Sequence, residues 1–332
     1  MNERERVLTA LRHEKTDIVP YQLDLTEDVH KRLVKHFGDE NFFDHTGSHI
    51  AHETNESFIE LPDKRIKDMY GVVWNREQKG DFGVVNDFLL KEAELGDYTF
   101  PVPDEKLVIE KCKRIEKQKN KFKLYGIGFS LFERAWTLRS MQELLVDFIL
   151  NKEFVNKLMD SIVEYNMAVI DLASQYDIDC IMFGDDWGQQ QGLIMGPDLW
   201  REFIKPRLKK MYDRVKERKL YVAQHSCGDI REIFPDLIEL GLDIYNTFQP
   251  EIYDVIKMKK LYGDKITFYG GISTQTLLPR AAPEEVKAEV RRFMDILGYN
   301  GGYIVAPTHA MPDDIPTENI LAFLDVVQNQ KK

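Results

Sequence analysis

The chain has 332 residues, 43% of them hydrophobic and 11% aromatic, which is ample material for a large core. A disordered chain or a disulfide-stapled miniprotein is thereby excluded. Its 56 acidic and 45 basic side chains leave a net charge of -11, the wrong sign for a general nucleic-acid binder.

In chain order, the first strand-like run is 18–25 (IVPYQLDL). The stretch 41–54 has a weak helical pattern and carries His45, His49 and His52 in an H-x3-H-x2-H array that superficially mimics a metal site. A second strand is expected between residues 50 and 75, at 57–61 or 72–74. The basic run 111–121 has apolar residues at helical spacing and reads as a solvated helix face. Strands follow at 123–128, 179–185, 220–227, 243–249, 266–272 and 302–309, with nearly continuous apolar residues. Parallel strands buried on both faces look like that. Between them, helical spacing marks 141–150, 153–175, 197–218, 230–240 and 283–297. Pro283 with Glu284 and Glu285 suits a helix start, and Gly241 and Gly298 suit helix ends. This alternation predicts an α/β fold, a single (β/α)8 TIM barrel over residues 1–332 with N-terminal embellishments. A doubly wound sheet would put a glycine-rich phosphate loop after the first strand, where Asp24-Leu25-Thr26-Glu27 stands instead.

No run of about 18 apolar residues occurs, so no membrane-spanning helix is expected. The charged opening does not read as a signal peptide. Cys112, Cys180 and Cys227 are far apart and odd in number, which points to a reducing, cytoplasmic setting.

Barrel enzymes place their chemistry at the C-terminal strand ends. His225 and Cys227, two residues apart on an extended chain, point to one side and form a borderline-soft pair that suits Zn²⁺. The same pair also fits a satisfied histidine and a buried thiol. A catalytic zinc needs about three protein ligands, and His309, ending the last strand, is the expected third. Asp185-Asp186-Trp187 ends another strand. One aspartate is expected to cap the following helix and the other to face the mouth, with Asp185 and Glu133 as the acid/base candidates. Tyr21, Asp24, Phe129, Trp136, Trp187, Gln224, Asn246 and Phe248 are the expected contacts to a small substrate.

These strand ends resemble those of the uroporphyrinogen decarboxylase superfamily along the whole chain. The resemblance rests on Arg4-Glu5-Arg6-Val7-Leu8 through Asp17-Ile18-Val19-Pro20, on Tyr125-Gly126-Ile127-Gly128 with Trp136-Thr137-Leu138, and on Tyr269-Gly270-Gly271-Ile272 through Glu318-Asn319-Ile320. Decarboxylases of the family carry Arg-Gln-Ala-Gly-Arg after the first strand, but this chain reads Tyr21-Gln22-Leu23-Asp24-Leu25-Thr26, without arginine. The methyltransferase branch carries H-x-C after the fifth strand, matched by His225 and Cys227, and a cysteine after the eighth, where His309 stands. The resemblance therefore implies zinc and methyl transfer involving the cobalt of a corrinoid. No D-x-H-x-x-G run is present, so the corrinoid is expected on a separate protein. A His/Cys/His set leaves Zn²⁺ with a net charge of about +1, a strong Lewis acid toward oxygen. The expected donor is then a small aromatic methyl ether. The alternatives are transfer from a methylcorrinoid to a thiol, decarboxylation of a porphyrinogen, and a non-catalytic ligand-binding barrel. Members of the family also pair, so a homodimer is possible by analogy.

Overall fold

The computed structural model describes residues 1–76 and 83–330. Seven parallel strands form one curved sheet, ordered Ile50–Thr54, Phe122–Ile127, Cys180–Gly184, Tyr221–His225, Ile244–Thr247, Thr267–Ile272 and Tyr303–Pro307. The expected strand at 18–25 closes the barrel but keeps only two isolated bridges, Tyr21 to Val305 and Leu25 to Met311. On its other side it meets the Ile50–Thr54 strand chiefly through side chains. His49 N–H donates to the Tyr21 carbonyl at 3.0 Å. Ile50 N–H then donates to the Gln22 side chain at 3.1 Å, and Leu23 N–H to Ser48 Oγ at 3.3 Å.

The second strand is therefore Ile50–Thr54, neither of the two positions expected for it. Phe58–Leu61 and Val73–Asn75 belong instead to a separate antiparallel sheet with Arg65–Asp68 and Val84–Val85. The helices fall where the periodicity put them, at Met141–Leu150, Lys152–Ala173, Lys205–Glu217 and Pro283–Leu297. Gly241 is left-handed at φ 87°, as a helix end requires. Gly298 is not, and its glycine answers to space instead, because a Cβ there would meet Val19 at 2.6 Å.

Two layers of packing result. Outward strand residues meet the helices. Inward ones form a separate core, in which Val7 and Leu11 of the helix Glu3–Leu11 pack with Ile50, Phe122, Cys180, Ile304 and Ala306. That helix plugs the floor of the barrel. Arg4 reaches Asp179 with a 2.6 Å ion pair, and Gly302 N–H donates to the Ala10 carbonyl. Above the floor, Gly126 and Gly184 bring no side chain inward, and the barrel stays open toward its C-terminal end.

Candidate active site and metal centre

His225 lies opposite Asn246 in the parallel pairing of their strands, so both side chains face the barrel interior at one level. The Asn246 amide donates to the Tyr269 carbonyl at 3.0 Å. Its oxygen therefore faces His225 and lies 2.6 Å from Nδ1. An amide oxygen only accepts, so Nδ1 carries the proton and Nε2 keeps its lone pair. Nε2 stands 3.7 Å from the Cys227 sulfur and 3.7 Å from Asp186 Oδ1. Asp186 Oδ1 in turn accepts from the Cys227 N–H at 2.7 Å. The ligand atoms of Asp186, His225 and Cys227 all lie within 4.8 Å of one another. Gly228 turns the chain just behind them at φ 77°, against Gly188, whose carbonyl oxygen would meet a Cβ there at 2.4 Å.

The surroundings are acidic. Burial pushes the Cys227 thiol up, and the nearby Asp186 and Glu133 charges push it further. Burial also raises Glu133 well above the usual carboxylate range, with Asp186 and Asp185 adding to it. Glu56 is raised chiefly by burial. The neighbouring guanidinium of Arg134 is committed to Asp68 at 2.6 Å and lies over the Tyr70 ring. Imidazole, thiol and carboxylate converging in a negative setting fit a divalent, borderline-soft cation such as Zn²⁺.

Asp185 has a different role from the one expected. It is fully buried, and its carboxylate accepts from Phe132 N–H (3.0 Å), Glu133 N–H (2.7 Å) and Trp187 Nε1–H (2.6 Å). It caps the helix Phe132–Arg139, while burial lifts it to about 6 against those three donors. The aspartate at the mouth is Asp186. A capping and a mouth-facing aspartate were expected, but the capped helix precedes Asp185 in the chain instead of following it, and alternation could not say which aspartate took which part.

Four expected substrate contacts lie in the packing. Trp187 is fully buried against Trp200, and Phe248 is stacked 4.0 Å from Phe268. Tyr21 donates to the Thr46 carbonyl, and Gln224 is locked between Tyr212 and the Phe183 carbonyl. Phe129 and Trp136 are half-buried around Trp74. Asp24 and Asn246 do line a cavity of about 620 Å³ beside His225 and His309. Asp24 accepts from the Tyr269 hydroxyl at 2.9 Å. The His309 ring lies 5.7 Å from that of His225, outside the close set.

The three N-terminal histidines part company. His45 is exposed, and His49 is buried against Tyr21. His52 reaches the cavity, where the surrounding protein holds its pKa down. His52 is the site residue that strand-end reading passed over, and Asp186, named there, was not expected among the metal ligands. For His52 the missing signal was the strand itself.

Fold and site together define a (β/α)8-barrel protein with a metal-competent cluster at its mouth. The sequence model of the uroporphyrinogen decarboxylase (URO-D) family matches residues 70–330. The chain belongs to that family. It is 30% identical to the methylcobamide:CoM methyltransferase MtaA of Methanosarcina barkeri over 133 residues, 40% of this chain and 36% of that one. It is 27% identical to the uroporphyrinogen decarboxylase of Serratia proteamaculans over 184 residues, 53% of this chain and 47% of that one. The matched stretches thus span less than half the length of these relatives. A methyltransferase structure from Methanosarcina mazei superposes with a TM-score of 0.75 at 19% identity, over 99% of this chain and 98% of that one, and so shares the fold. Among the described residues, no helix is long and apolar enough to cross a membrane.

Proposed function

We propose that this protein is a methyltransferase that exchanges a methyl group between a small molecule and the cobalt of a corrinoid carried by a separate protein. The observation that carries the reading is the convergence of His225 Nε2, the Cys227 sulfur and an Asp186 oxygen beside a cavity of small-molecule size. The partial likeness to a methylcobamide:CoM methyltransferase supports it. Asp186, His225 and Cys227 would hold zinc, with His309 close by to contact the reactant. Bound zinc would supply Lewis acidity toward the heteroatom that carries or accepts the methyl group.

The chain's own residues do the rest. Asn246 fixes the His225 tautomer, as a hydrogen-bonded partner behind a ligand does. Glu133, whose carboxyl burial and the nearby Asp186 push well above the usual range, is the proton donor proposed for a leaving oxygen. Asp24 and Tyr269 orient the reactant from across the barrel. Leu25, Phe43, Leu124 and Met182 give the cavity an apolar lining, which suits a small aromatic methyl ether as donor.

A second reading has its own support. With Asp186 as third ligand, carboxylate and thiolate together neutralise Zn²⁺. That weaker Lewis acid suits delivery of a methyl group from the corrinoid to a thiol. A porphyrinogen decarboxylase is disfavoured, because the cavity arginine, Arg114, is already paired with Glu53 and Glu110. The three free cysteines favour a reducing, cytoplasmic setting.

The deciding experiment joins elemental analysis to two assays. About one zinc per chain is expected. It should be lost in Asp186→Ala and His225→Ala and kept in His309→Ala. Cob(I)alamin with 1,2-dimethoxybenzene tests the ether donor, and methylcobalamin with a thiol tests the reverse direction. Full turnover by zinc-free His225→Ala would overturn the metal assignment, and inactivity in both assays would overturn methyl transfer.

A further inference from the structure

The cavity does not simply open at the barrel mouth. All four residues from 22 to 25 line it, and so do all four from 50 to 53. Successive residues of an extended chain point to opposite faces of a sheet. Residues of both facings thus line one cavity, which places it along the wall between the two segments. Its lining also includes Arg114 of the helix Glu105–Glu116, which packs outside the barrel, Gln118 in the turn after that helix, and Phe43 from the turn before the second strand.

The hydrogen bonding agrees. Ile50–Thr54 has one strand neighbour in the sheet, Phe122–Ile127. The contacts to the first strand stop at Leu23 and Ile50. Among the described residues, no backbone hydrogen bond joins 23–26 to 51–54. The burial pattern agrees as well. Phe122–Ile127 is buried throughout, while in Ile50–Thr54 only Ile50 is fully buried and His52 is exposed.

We propose that this slot in the barrel wall is the path by which a small molecule reaches His225, leaving the mouth to a second, larger reactant. The passenger is a neutral, largely apolar molecule about one aromatic ring across. The partly buried Leu25, Phe43 and Ala51 line the passage, and Glu53 at its outer rim is already paired with Arg114 at 3.0 Å and Lys111 at 3.0 Å. The division between side slot and mouth rests on the two-reactant reading above, but the slot itself does not.

The test is therefore made without methyl transfer. A reporter cysteine is placed inside the barrel by Met182→Cys, and its alkylation by N-ethylmaleimide is followed by mass spectrometry of that peptide. Ala51→Phe and Leu25→Trp narrow the slot at two separate points, and Ala310→Trp crowds the mouth. Each slot variant should slow labelling at position 182 about tenfold, and the mouth variant should change it less than about twofold. The proposal is overturned if both slot variants label at the parent rate, or if crowding the mouth gives the tenfold loss. Should Ala51→Phe fail to fold, Leu25→Trp decides alone, since Leu25 is only partly buried. If slot variants slow labelling while both methyl-transfer assays stay silent, the slot stands and the assigned reaction falls.

Discussion

The barrel wall is built in two ways. From Phe122 to Pro307, six strands are joined by continuous parallel ladders, and Phe122–Ile127, Ile244–Thr247, Thr267–Ile272 and Tyr303–Pro307 are buried along their whole length. From residue 20 to residue 54, the wall is stitched by the Tyr21, Gln22, Ser48 and His49 side chains and, among the described residues, one backbone bond. The groups proposed to hold an ion, Asp186, His225 and Cys227, and Asn246 behind His225, all stand on the paired side. The other side provides the gap. Rigidity is concentrated where fixed geometry is needed, and hydrogen bonding is thinnest where the cavity passes outward.

Breaking the paired side should cost most. In Asp185→Ala three buried N–H donors lose their acceptor together, and about 4 kcal/mol should disappear from the urea unfolding free energy. A loss below about 1 kcal/mol would mean that Asp185 does not organise the helix start.

At the stitched side the expected effect is smaller and depends on pH. Burial, with Arg6 close by, holds His49 down to about 4. Its folded pKa lies below its unfolded one, so the unfolded chain takes the proton first as pH falls. Stability is then fully present above about pH 6.5 and declines toward pH 4, by about 3 kcal/mol from this residue. Unfolding curves at pH 7 and pH 4.5 measure the slope, and His49→Gln should flatten it. An unchanged slope in that variant would place the acid sensitivity elsewhere.

Gln22→Ala should be milder still, about 1–2 kcal/mol, since it orphans the Ile50 N–H. Amide exchange should quicken at Ile50 and stay unchanged at Tyr245. Equal quickening at both would show that the two sides open as one unit.

Much of the paired side could be read from residues alone. Runs such as CIMFG and YIVAP are apolar throughout because helices cover one face and the barrel interior the other. The strand Ile50–Thr54, IAHET, carries no such signature, because its free edge and half of its surface face the slot. His52 was lost with it. The aromatic contacts failed for a related reason. Trp187 and Phe248 follow strand ends, where the chain turns sharply, and Phe248 sits at φ 54° with its ring in the core. Alternation no longer reports direction at such turns. His225 and Cys227 were legible because extended geometry holds through both.

The floor helix has a consequence for how the protein comes into being. Arg4 finds Asp179 at a separation of 175 residues, and Ala10 meets Gly302 only when the last strand exists. Such distant contacts form late and slowly. During synthesis the first helix must wait, with Val7 and Leu11 uncovered, until nearly the whole chain has left the ribosome. It is in that interval, before the barrel has a floor, that the protein is most open to aggregation and most dependent on chaperones.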